Sequence, residues 1–165
     1  MIATERGGKI GVLLYEYRRA INDLQLTISN LTTEQLTTVV DKSTLNPNCI
    51  SIQAILTHVV ACGQMYVGFI KTHRGTETPL PDKVYFTDST EYIAALHTMY
   101  NDTVTLFNDI AEYEMDEYNP EKKIQAYWGQ LYDYEQLMEH AIVHILRHRR
   151  QIERFIEHLQ VSGTE

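Results

Sequence analysis

Apolar residues recur at spacings of three and four along most of the chain, the period of an amphipathic helix. Leu13, Leu14, Tyr17, Ile21, Leu24 and Ile28 form one such stripe between about Lys9 and Asn30. A short helix is expected next, with Thr33 as N-cap before Glu34, Gln35 and Leu36, and Asn46-Pro47-Asn48 breaks it. The second long helix opens at Ser51, a good N-cap, carries Ile55, Val59, Tyr66 and Ile70 on one face, and stops at Gly75. A loop with Gly75, Pro79, Pro81 and Asp82 follows. The third opens on the Asp88-x-x-Glu91 pair and buries Tyr92, Leu96, Met99, Leu106 and Ile110, with Asn119-Pro120 as its expected end. From Lys122 to Tyr132 there are aromatics and Gly129 but no clear period, so this stretch reads as a structured connection. The fourth long helix runs from about Tyr134 to Leu159. Nothing reads as a convincing sheet.

Four long helices, most of them joined by short connections, predict an all-α four-helix bundle with a short extra helix after the first. The 165 residues fit a single domain over 1–165, with enough chain to bury a core without disulfides. A net charge of −8 disfavours phosphate backbones, so nucleic acid is not an expected partner. The N-terminus lacks a basic stretch followed by an apolar one, which argues against a signal peptide. Gln53, His58 and Gln64 interrupt the apolar run from Ile50 to Ile70, which argues against a membrane span. With only Cys49 and Cys62 present, a reduced, cytoplasmic protein is expected.

Seven histidines are present, and three of them, His140, His144 and His148, recur every four residues on the fourth helix. Leu137, Gln151 and Phe155 share their sector, so the stripe should face the bundle interior. Buried imidazoles need partners, and a metal ion is an efficient one. Two histidines one turn apart converge on one ion at bonds of ~2.0–2.1 Å. All three cannot, because about 12 Å of helical rise separates His140 from His148. The third ligand should come from another helix, where His58 stands beside Ile55, Cys62 and Tyr66. One inward histidine alone is more often a satisfied core residue; with an inward pair it points to a metal site. His73, His97 and His158 read as surface or flank residues.

The segment from Glu139 to Ile152, EHAIVHILRHRRQI, resembles the fourth-helix signature of the DinB-like (YfiT-type) metalloprotein superfamily. Ser51 to Val59, SIQAILTHV, is similar to its second-helix motif. Leu31 to Leu36 and Trp128-Gly129 also follow family habits. By position the resemblance implies His58, His144 and His148 as the metal ligands. Two departures affect pocket shape but no ligand: Arg150 stands where glycine is usual, and Arg147 where a second histidine often precedes the ligand.

Three neutral imidazoles leave a divalent ion with open positions, the arrangement of catalytic rather than structural centres. Zinc or nickel is the expected ion. The resemblance implies a metal-dependent enzyme on a small molecule, with S-transfer from a low-molecular-weight thiol ahead of hydrolysis. A non-catalytic metal-binding homodimer is the alternative of a different class. Gln151, Arg147 and His140 are candidates for contacts with a ligand or with the histidines. Tyr66 and Tyr132 are candidate pocket residues. Cys62 reads as a buried unreactive thiol before a fourth ligand.

Overall fold

The computed structural model describes residues 6–162. Its helices are α1 (Gly8–Ile28), α2 (Thr33–Thr37), α3 (Ile52–His73), α4 (Ser89–Phe107) and α5 (Tyr134–Ser162), with a hairpin of β1 (Ile124–Gln125) and β2 (Leu131–Tyr132) before α5. The four long helices form a bundle in which α1 and α3 each pack against both α4 and α5. Helix α3 is buried on most of its circumference, from Ile52 to Ile70. Its length and composition would suffice to cross a membrane, but 72% of its most apolar window lies inside the bundle.

Local chemistry sets most boundaries. Ser51 Oγ accepts the Ala54 N–H at 3.1 Å and opens α3. Asp88 Oδ1 accepts the Thr90 N–H at 2.7 Å and opens α4. Gly75, at φ +91°, reverses the chain after α3 in a conformation that a side chain would resist. The short α2 is capped by Thr32 rather than Thr33. Thr32 Oγ1 takes the Gln35 N–H and Gln35 Oε1 takes the Thr32 N–H, a reciprocal box that only this register permits.

Two expectations are overturned by the structure. Helix α4 ends at Phe107, not at Asn119-Pro120. The Arg6 guanidinium donates to the Phe107 and Ile110 carbonyls, satisfying acceptors that continued helix would have used. Ile110 is buried all the same, on a chain that has already left the helix. The connection before α5 contains a small sheet, pairing Ile124 with Tyr132 and Gln125 with Leu131. Gly129, at φ +91°, makes its turn, and the Ala126 N–H donates to Gln130 O at 2.9 Å.

A buried hydroxyl ties the α3–α4 loop to α3. Tyr92 Oη donates to Gln53 O and accepts the Phe86 N–H, both at 3.2 Å, and lies 2.6 Å from Thr57 Oγ1. Thr57 Oγ1 also stands 3.2 Å from Val84 O, and Gln53 Nε2 donates to Phe86 O at 2.8 Å. The segment Val84–Phe86 is thereby pinned beside the turn of α3 that leads into His58.

Candidate metal centre

Helix α3 places His58 between the buried Thr57 and Val59, and α5 places His144 and His148 one turn apart on either side of buried Ile145. Because α3 and α5 pack side by side, the three rings meet. Ring centroids are 5.0 Å apart for His58 and His144, 5.1 Å for His58 and His148, and 4.5 Å for His144 and His148. His144 Nε2 lies 3.1 Å from His58 Nε2. One ring nitrogen from each of the three is within 4.8 Å of the other two. Two nitrogens bound tetrahedrally to one zinc ion stand about 3.3 Å apart, so the nearer pair is already spaced for ligation.

The protonation states suit the same purpose. Burial pushes His58 down to about 4, with His148, Lys83 and Arg147 adding repulsion. Burial likewise pushes His144 down to about 2, helped by the neighbouring histidines and Arg147. His148 is lowered by burial, against a hydrogen bond to Gln151 that raises it. At neutral pH all three are uncharged imidazoles with a lone pair each to offer, the state that metal ligation requires. Three convergent neutral imidazoles fit a divalent transition-metal ion.

Supporting contacts orient the rings. His148 Nδ1 is 3.2 Å from Gln151 Oε1; an amide oxygen only accepts, so Nδ1 carries the hydrogen and Nε2 is left for the ion. Cys62 Sγ stands 3.5 Å from His58 Nδ1, outside the convergent set. Burial raises this thiol to about 11, so it stays protonated at neutral pH beside the ring.

His140 belongs to a different group. Its Nδ1 lies 3.1 Å from Tyr132 Oη, and its ring stacks on Trp128 with centroids 5.6 Å apart. Trp128 Nε1 donates to Tyr132 Oη at 3.3 Å, so the hairpin turn and β2 engage His140 on one side while its ring stacks on that of His144 with centroids 6.2 Å apart. Tyr66 bridges the groups, edge-on to both His140 and His144. Arg147 is exposed on α5 between the two clustered histidines of that helix. His73 joins α3 to the hairpin connection, 2.8 Å from Lys122 O and 2.9 Å from Tyr134 Oη, and His97 is exposed beside Asn101. Lys83, whose charge reaches His58, drew no notice in the sequence because a proline-containing loop has no period to place it.

Fold and site together define a four-helix bundle whose interior carries a three-histidine cluster able to hold a metal ion. The chain belongs to the DinB superfamily, whose family model matches residues 16–152. No curated protein and no solved structure matches it.

Proposed function

We propose that the protein is a metal-dependent enzyme acting on a small molecule, with His58, His144 and His148 holding one zinc or nickel ion. The convergence of three neutral imidazoles from two helices carries this reading. When bound, such an ion supplies Lewis acidity that makes a thiol or water nucleophilic near neutral pH. The favoured reaction is S-transfer from a low-molecular-weight thiol. The thiol gives its proton to solvent, its sulfur forms a bond to an electrophilic carbon, and the leaving group departs with the electron pair of the broken bond. The surroundings support a thiol over water. Among the described residues, no carboxylate joins the three convergent histidines to act as a general base. Gln151 and Cys62 orient the His148 and His58 rings, and the buried Tyr66 walls the side toward the hairpin.

Hydrolysis is the second reading, and His140 is the observation in its favour. With Nδ1 engaged by Tyr132 and its pKa lowered by burial, it is a neutral imidazole one turn from His144. Elemental analysis of tag-free protein beside a His58→Ala variant tests the metal. About one ion per chain, lost in the variant, supports the site; no ion in the wild type after reconstitution returns the histidines to core packing.

A further inference from the structure

The outer face of α5 carries a stripe that neither the core nor the histidine cluster uses. Glu139, Val143, Leu146 and Arg150 recur at spacings that keep them within about 60° of one another around the helix, while His144 and His148 stand about 100° or more away. All four are exposed, Val143 at 61% and Leu146 at 40%. Beside Val143 lies a hollow of about 370 Å³, lined by Leu131 and Tyr132 of β2 and by Glu139 and His140 of α5. The charges at the two ends of the stripe are poorly matched within the chain. Glu139 forms no ion pair among the described residues, and Arg150 has only Glu153, at 3.3 Å, which Arg149 also takes at 3.3 Å. Arg150 does not serve the helix dipole either, because α5 runs on to Ser162 and the dipole acts within the last turn.

The stripe complements itself when reversed. Val143 and Leu146 are equally far in sequence from the midpoint between His144 and Ile145, and so are Glu139 and Arg150. An antiparallel copy of α5 centred on that midpoint sets Leu146 on Val143 and Arg150 on Glu139, each contact made twice. A parallel copy would set Glu139 against Glu139 and Arg150 against Arg150. Arg154 mirrors Glu135 in the same way, although Lys9 already holds Glu135 at 2.9 Å. We infer that a second copy of this chain docks antiparallel on α5, forming a two-fold dimer through Glu139, Val143, Leu146 and Arg150. The Arg150 stem of each copy then has the hollow beside the other copy's Glu139 to enter, and the apolar pair at the centre leaves water. Four side chains per copy over about 17 Å of helix make a small contact, so the dimer is weak and forms at micromolar concentration or above. The contact does not depend on a metal, since the clustered histidines lie on another face of the helix.

Sedimentation equilibrium over a series from about 5 µM to about 500 µM tests the dimer, and the wild type should pass from monomer to dimer across it. Glu139→Arg and Arg150→Glu each bring like charges together at both ends of the contact and should weaken dimerisation by about tenfold or more. An equimolar mixture of the two variants should associate again, because each copy then offers the sign that the other lacks. A wild type that stays monomeric throughout overturns the inference. So does a dimer that neither reversal weakens, since it would lie on another face. A mixture that stays monomeric overturns it too, by denying the antiparallel register. Circular dichroism of each variant comes first. If a reversal unfolds the chain, Glu139→Gln and Arg150→Gln take its place, each with an expected loss of about threefold, and no loss in either overturns the pairing.

Discussion

His58 and His144 bring their Nε2 atoms to 3.1 Å across the α3–α5 interface, although 86 residues separate them in the chain. Two neutral imidazoles this close satisfy each other only if one donates to the other, or if both turn a lone pair toward a shared ion. The second case predicts an asymmetric result from histidine scanning. Replacing His58, His144 or His148 by Ala should remove tightly bound metal. His140→Ala should largely spare it, because His140 is held by Tyr132 and Trp128. Metal content by mass spectrometry of the purified variants checks this; loss in His140→Ala with retention in His148→Ala would show that the ligand pair is one turn earlier.

That asymmetry also marks where sequence reasoning ends. The three- and four-residue spacing of Leu14, Tyr17, Ile21 and Leu24, and the caps Ser51 and Asp88, are local, so α1, α3 and α4 could be placed with their starts. The end of α4 could not, because Arg6 takes its last carbonyls from about a hundred residues away and Ile110 keeps the apolar spacing after the backbone has turned. Strands of two residues, such as Ile124–Gln125, are too short to show a period. His140, His144 and His148 are equivalent by spacing alone; what separates them is the approach of Tyr132 and Trp128 from the hairpin. That approach is tertiary, and in the sequence only the family resemblance distinguished the pair.

Gln151 accepts from His148 and fixes which nitrogen faces the cluster. Gln151→Ala should therefore weaken metal affinity by about 10- to 100-fold while leaving one ion per chain at saturation. Competition with a chromophoric chelator measures the difference. Equal affinity would mean that helix packing alone orients the ring.

The depressed histidines make the metal-free protein sensitive to acid. Their folded pKa values lie below the unfolded value of about 6.5, so between the two the unfolded chain binds more protons and stability rises with pH. For His58 this window runs from about 6.5 down to about 4. The Tm of chelated protein should fall as pH drops from 6.5 toward 4, and the fall should be shallower in His58→Asn. Parallel pH profiles for the two proteins would show that His58 does not contribute.

Tyr92→Phe removes a buried hydroxyl and leaves the Phe86 N–H and Gln53 carbonyl without it. The expected cost is about 1–3 kcal/mol in urea denaturation. Exchange of the Phe86 amide should accelerate more than that of amides in α1. A uniform acceleration would mean that the hydroxyl supports the whole bundle rather than pinning the Lys83 loop.

Gly63 on α3 leaves the space that the Met99 side chain of α4 occupies. A Cβ built there would lie 2.0 Å from Met99 Sδ and 3.1 Å from the Tyr17 hydroxyl, and both neighbours are buried. Gly63→Ala should destabilise the fold: overpacking costs about 1–3 kcal/mol, while the gain in helix propensity offsets only about 1 kcal/mol. Met99 is the atom group in the way, so the penalty should shrink when Met99 is shortened to Ala in the same chain, although Met99→Ala alone is destabilising. A double-mutant cycle by chemical denaturation isolates that coupling. Strict additivity would mean that the methionine side chain swings aside without strain, and that the helices are held at this distance by other contacts.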